Sequence, residues 1–127
     1  MVKVTEDIEK KLVDVVITGM VKPEDIIRAS NEIKATMKHY GPSQAALLID
    51  LVGFAPMTAD VLPMLRGLGR DVVSFFNRAA LIQDFSMQFQ GNRKAVEPPP
   101  GYKLPSFTTR EKALGYLFEE NIDNSVE

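Results

Sequence analysis

Two aspartates stand where apolar runs of the sequence end. AALLIDL places Asp50 at the end of one predicted strand, and RAALIQD places Asp84 at the end of another. The carboxyl ends of neighbouring parallel strands lie about 5 Å apart at one edge of a sheet. Two carboxylates there can share a proton, hold a cation or act as an acid–base pair. The alternative is that each carboxylate accepts main-chain hydrogen bonds within its own turn.

The side chains that follow these aspartates are mostly apolar. Phe54 and Met57 come shortly after Asp50, and Met87 comes after Asp84. Because methionine adapts its shape to what it contacts, such a cluster indicates either a hydrophobic binding groove or core packing. Thr58 precedes a predicted helix, where a hydroxyl stabilises the turn or accepts a phosphate. The candidate binding residues are therefore Asp50, Phe54, Met57, Thr58, Asp84 and Met87.

Several kinds of chemistry lack the residues they need. The chain has no cysteine, and His39 is its single histidine, so thiolate catalysis and multi-histidine zinc sites are excluded. The glycines of RGLGRD fall inside a helical pattern rather than between a strand and a helix, which argues against a phosphate loop. We expect no catalytic set, no metal and no cofactor. A net charge of −2 without a basic stripe also predicts no nucleic-acid partner.

The first half of the chain indicates a hairpin, a helix and a buried strand. VKVTE and LVDVVITG read as paired strands, and KPEDIIRASNEIKATMKHYGP has helical spacing with a proline in its first turn. AALLIDL is apolar on both alternating faces, which predicts a central parallel strand covered by helices on both sides. In the next helix, a start at Asp60 keeps Pro63 within the first turn, where a proline is tolerated.

The second half continues the alternation of strands and helices. RAALIQD predicts a buried strand, SMQFQGNRKAV a weak helix, and KLPSF a short edge strand because its proline cannot donate to a ladder. TTREKALGYLFEEN predicts a final helix, with Thr108 and Glu111 as its capping box. The order β-β-α-β-α-β-α-β-α predicts an α/β fold with a single mixed, mostly parallel sheet of about five strands and helices packed on it. Residues 1–127 are expected to form one domain, with 121–127 as a frayed tail.

Four segments in this order resemble the SpoIIAA-like family, which is related to the STAS domains of sulfate transporters and anti-sigma-factor antagonists. They are VVITGMVKPED, ALLIDLVGF, FFNRAALIQD and FTTREKALGYL, and the resemblance covers about residues 12–120. It implies a SpoIIAA/STAS-like fold, similar to that of CRAL-TRIO lipid-binding domains. The family's antagonists bind a partner protein and are switched by phosphorylation of a serine after an aspartate. The matching stretch here is MTAD, which lacks that Asp-Ser pair.

The residues and the resemblance together favour a non-enzymatic domain that acts through protein contacts, with a protein partner or as a homodimer. The hairpin end and a helix face are the expected association surfaces. A small hydrophobic-ligand or lipid-binding protein is the alternative, and an enzyme using Asp50 and Asp84 is the third reading. No apolar run approaches the length of a membrane span, and the first residues do not resemble a secretory signal. A cytoplasmic location is expected.

Overall fold

The structure is a computed structural model that describes residues 1–56, 58–83, 96 and 98–119. Its elements in chain order are β1 (Val2–Asp7), β2 (Leu12–Ile17), β3 (Gly19–Val21), α1 (Pro23–Met37), β4 (Ala46–Asp50), β5 (Phe54–Pro56), α2 (Val61–Val72), β6 (Arg78–Ile82), β7 (Ser106–Phe107) and α3 (Arg110–Leu117). A 3-10 turn, Val73–Phe75, continues α2.

The main sheet has five strands in the order β1-β2-β4-β6-β7. β1 and β2 form the antiparallel hairpin, and every other neighbouring pair is parallel. The predicted mixed α/β sheet is thereby confirmed, with β4 as its middle strand. β7 lies at one border, in agreement with the edge position that Pro105 predicts for this segment.

The two faces of the sheet are covered unequally. Buried side chains of α1 and α2 pack with alternate residues of the strands in the larger core cluster. On the opposite face α3 packs on β4, β6 and β7 and forms a smaller cluster. Ala46, Leu47, Leu48 and Ile49 are all at most 3% exposed, because β4 has helices on both of its faces. No helix among the described residues is both long and apolar enough to cross a membrane.

The helix starts follow local capping chemistry. α1 begins at Pro23, as predicted, and the main-chain N–H of Lys22 donates to Asp25 Oδ2 at 2.9 Å. α2 begins directly after Asp60, so Pro63 occupies its third position, where the missing N–H removes no helical hydrogen bond. α3 starts one residue later than the sequence predicts. Thr109, not Thr108, caps it, and its hydroxyl accepts from the N–H of Lys112 at 3.2 Å.

A second sheet of two parallel strands, β3 and β5, adds to the predicted architecture. Three residues per strand are too few for a recognisable alternation in the sequence, which explains why it was not anticipated. This small sheet continues the chain past the carboxyl ends of β2 and β4. The predicted helix SMQFQGNRKAV, apart from Val96, and the tail 121–127 lie outside the described residues.

Candidate functional site

Asp50 occupies the carboxyl end of the middle strand, where the sequence predicted a site. Its Oδ1 atom accepts a hydrogen bond from the N–H of Val52 at 3.0 Å, which stabilises the turn after β4. Its side chain is 18% exposed, and its Oδ2 atom lies 3.1 Å from Nη1 of Arg110 on α3. The carboxylate therefore stabilises the turn that follows β4 and also forms an ion pair with Arg110.

Asp14 is the second carboxylate of this site. In the parallel register of β2 and β4, Asp14 lies opposite Leu48 and Val16 lies opposite Asp50. Because side chains alternate along a strand, Asp14 and Asp50 are on the same face of the sheet, the face that α3 covers. Nη2 of Arg110 donates to Asp14 Oδ2, so a single guanidinium bridges two strands and the start of α3.

Burial raises the pKa of Asp14 above its ordinary value of 3.8. Desolvation is the largest cause, Arg110 opposes it by attraction and hydrogen bonding, and the nearby charge of Asp50 raises the pKa further. Asp14 Oδ1 is buried and has no hydrogen-bond partner within the described part of the chain. The site is therefore an ion network in which one carboxylate is incompletely compensated.

This arrangement favours a structural tie over catalysis. Each aspartate has one carboxylate oxygen paired with Arg110, and a guanidinium does not exchange protons in the physiological pH range. Within residues 1–56, 58–83, 96 and 98–119, no group of three or more histidine, cysteine, aspartate or glutamate side chains is arranged to hold a metal ion. What the cluster accomplishes is to fix the start of α3 over β2 and β4.

The remaining sequence-predicted residues occupy different surroundings. Phe54 is 2% exposed and packs in the larger core cluster, so its side chain presents no surface to a partner. Thr58 is exposed and stands two residues before the α2 cap, and its carbonyl accepts from the N–H of Val61 at 3.2 Å. Met57, Asp84 and Met87 lie outside the described residues.

Two exposed apolar side chains lie just past the carboxyl ends of β2 and β4, one on β3 and the other on the turn after β4. The N–H of Gly19 donates to the carbonyl of Gly53 at 2.9 Å, and both glycines have positive φ, 72° and 82°, which other residues rarely adopt. Beside this bond stand Met20, 58% exposed, and Val52, 40% exposed. We call Met20, Val52 and the two glycines the carboxyl-end rim.

Two adjoining open clefts lie near the amino end of β6. One has a volume of ≈370 Å³ and the other ≈500 Å³, and both are lined by Tyr102, Lys103 and Tyr116. The hydroxyl of Tyr102 donates to the carbonyl of Phe76 at 2.9 Å, and burial raises its pKa to about 12. The guanidinium of Arg78 lies 5.1 Å from the centre of the Tyr116 ring. These clefts therefore have aromatic walls and basic groups, and the larger one is also lined by Glu119, whose carboxylate lies 3.5 Å from the Arg78 guanidinium.

Sequence reasoning missed Asp14 and Arg110. The sequence does contain one signal for Asp14. It lies between Leu12 and Val16 on the same face of a predicted strand whose other residues are apolar. An acid in that phase needs a partner, since burying an unpaired charge is unfavourable. Nothing local identifies the partner, because Arg110 lies 96 residues further along the chain.

The five-stranded mixed sheet of the described residues, with α1 and α2 on one face and α3 on the other, defines an α/β architecture of SpoIIAA-like fold. The crystal structure of an uncharacterized protein of the DUF3478 family with a SpoIIAA-like fold, from Shewanella loihica PV-4, is similar to this chain. The TM-score is 0.61 with 14% sequence identity, and 92% of each chain is covered. This likeness confirms the resemblance at the level of the fold. No protein-family model matches the sequence, and no curated protein is similar to it.

Proposed function

We propose that this chain is a non-enzymatic domain of SpoIIAA-like fold that binds another protein through the carboxyl-end rim. The observation that carries the proposal is the exposure of two large apolar side chains, Met20 on β3 and Val52 on the turn after β4, next to the Gly19–Gly53 hydrogen bond. Main-chain segments that are held in place by such a bond lose little conformational entropy when a partner binds, which favours association.

The surroundings of the rim also support protein contact. Val52 is joined through its N–H to Asp50, and the Arg110 side chain that pairs with Asp50 remains 41% exposed. An apolar centre with charged groups at its border is the usual composition of a protein interface. Of the two aspartates that the sequence offered for catalysis, Asp50 is paired with Arg110, and Asp84 lies outside the described residues.

Photo-crosslinking in the organism of origin tests this surface. With a photoreactive phenylalanine analogue in place of Met20, we expect one protein to be crosslinked and identified by mass spectrometry. The same analogue in place of Phe118 is the control, because Phe118 is 39% exposed and lines a cleft with Lys10 and Lys11, at the amino ends of the strands. Irradiation of that variant is expected not to yield the adduct.

A matched pair of substitutions makes the test specific. Val52→Glu places a charge in the rim and is expected to reduce the adduct at position 20 at least about fivefold, because an unpaired charge at an interface core is unfavourable. Phe118→Glu makes the same change at a position of equal exposure and should leave the adduct unchanged. The proposal would be contradicted by equal crosslinking yields from positions 20 and 118, or by an adduct yield at position 20 that Val52→Glu does not change.

A second candidate function is the binding of a small apolar ligand with an acidic group. The clefts at Tyr102, Lys103 and Tyr116 favour it, since their volumes fall within the range of ligand sites and their walls combine aromatic rings with a lysine. Unlike a lipid carrier's cavity, both clefts are open at the surface. The ligand they fit is therefore one that keeps part of its surface in water.

Tyrosine fluorescence measures this binding directly, because the chain has no tryptophan and two of its three tyrosines line the clefts. Titration with anilinonaphthalene sulfonate, an aromatic anion, is expected to quench the emission with saturation. Lys103→Glu should weaken the binding about fivefold or more, as attraction becomes repulsion, whereas Lys112→Glu, at an exposed position of α3, should not. Equal affinities for the two variants would remove this candidate.

A further inference from the structure

β1 forms a free edge of the main sheet. It is the terminal strand in the order β1-β2-β4-β6-β7, and no strand of the described residues pairs with its outer side. Six residues, Val2–Asp7, make it long enough to pair with another strand. An uncovered edge of this kind offers main-chain donors and acceptors to a second chain.

The alternation of the hairpin determines which groups point outward. Met1 and Thr18 exchange two main-chain hydrogen bonds, so they form a hydrogen-bonded pair. In an antiparallel ladder every second pair has this character, which makes Lys3, Thr5 and Asp7 the residues bonded to β2. The N–H and C=O groups of the even residues Val2, Val4 and Glu6 therefore point away from the sheet.

α1 already occupies one end of this edge. Nη2 of Arg28 donates to the carbonyl of Val2 at 3.1 Å, which agrees with an outward-pointing Val2. At the other end His39 Nδ1 lies 2.9 Å and the Tyr40 hydroxyl 3.1 Å from the Glu6 carboxylate, but these contacts involve its side chain only. Among the described residues, no hydrogen bond reaches the main-chain groups of Val4 or Glu6.

We propose that a second copy of this chain pairs with β1 in antiparallel orientation, with Val4 opposite Glu6 of the second copy and Thr5 opposite its own counterpart. Each Val4–Glu6 pair exchanges two main-chain hydrogen bonds, so the two-fold related pairs supply four. The product is one continuous sheet of ten strands, twice the five of a single chain.

Charge complementarity selects this register. With Thr5 on the two-fold axis, Lys3 faces Asp7 of the second copy, and the same ion pair occurs twice by symmetry. Within the described residues no ion pair involves Lys3, so its ammonium group is available. The neighbouring register, with Val4 on the axis, would oppose Lys3 to Thr5 and would need the Val2 carbonyl that Arg28 occupies. The proposed register keeps the Arg28 bond.

The competing explanation is that Lys3 and Asp7 protect the edge against pairing, as charged residues do on many edge strands. Sedimentation velocity from micromolar to near-millimolar protein separates the two explanations. We expect a monomer–dimer equilibrium, weak because the contact consists of a few main-chain bonds and two ion pairs. In parallel, hydrogen exchange of the Val4 and Glu6 amides should slow several-fold as the concentration rises.

Charge reversal tests the register. Lys3→Glu places like charges opposite each other twice and should weaken the dimer about tenfold or more. The double variant Lys3→Glu/Asp7→Lys restores opposite charges with their positions exchanged and should recover much of the affinity. Lys112→Glu makes the same change of net charge on α3 and should have no effect. Circular dichroism verifies each fold, since Asp7 Oδ1 also accepts from the N–H of Lys10 at 3.1 Å.

Several results would overturn the proposal. A chain that stays monomeric at near-millimolar concentration, with Val4 and Glu6 amide exchange independent of concentration, has no such pairing. A dimer that tolerates Lys3→Glu uses another register or another surface. Sedimentation velocity and hydrogen exchange are measured first on the wild-type protein. Poor folding of the double variant would therefore not affect the conclusion about whether the chain dimerises. These measurements are also independent of Met20 and Val52, so failure of the carboxyl-end rim and failure of this dimer are distinguishable.

Discussion

Phe54→Ala is expected to lower the free energy of unfolding by about 3–5 kcal/mol. Phe54 is 2% exposed, and its ring packs within the larger core cluster at the start of β5. Truncation removes most of a buried aromatic side chain and leaves a cavity that rigid strands refill poorly. Urea denaturation monitored by circular dichroism measures the loss as a lower midpoint with little change in slope.

Met20→Ala is the matched control for this measurement. Met20 is 58% exposed and lies on β3, the strand that pairs with β5, so its truncation should change the free energy of unfolding by less than about 0.5 kcal/mol. A small effect of Phe54→Ala, comparable to that of Met20→Ala, would show that Phe54 is not a core residue. It would then regain the binding role that the sequence suggested.

Arg110→Met is expected to destabilise the fold by about 1–3 kcal/mol at pH 7, less than a fully buried pair would because Arg110 is 41% exposed. The substitution keeps an unbranched side chain over the sheet but removes the cation that bridges Asp14 and Asp50. Two carboxylates, each 18% exposed, then repel each other on adjacent strands.

The pH dependence of this loss follows from the direction of the Asp14 pKa shift. A pKa raised by folding means that the folded state binds the proton more tightly than the unfolded chain does. The resulting stabilisation is complete below the ordinary value of 3.8 and disappears as the pH rises through the higher folded pKa. Without Arg110 that pKa rises further, so we expect the loss to be clearly smaller at pH 4 than at pH 7.

Urea titrations of wild type and variant at both pH values measure this difference. Lys112→Met on the same helix removes an exposed positive charge and should show a small effect that hardly depends on pH. An Arg110→Met loss of equal size at pH 4 and pH 7 would mean that the guanidinium acts through packing alone. The electrostatic account of the cluster would then be wrong.

The sequence by itself determined the strands of the main sheet and the three described helices in their order along the chain, but not the short strands β3 and β5. The two-sided apolar run before Asp50 predicted a middle strand, and Asp60 with Pro63 predicted where α2 begins. These features depend on side-chain periodicity and on capping within a few residues, which is information that the local sequence carries. The resemblance of four ordered segments to the SpoIIAA-like family predicted the fold that the structural comparison confirms.

Only the tertiary structure decided what the residues near Asp50 contact. Phe54 could equally have lined a groove or filled the core, because an apolar residue after a strand is compatible with either, and packing placed it inside. Asp50 forms an ion pair with Arg110, which α3 positions over the sheet, and Asp14 pairs with the same guanidinium. Contacts across 60 and 96 residues depend on how helices and strands pack, and no local pattern encodes them.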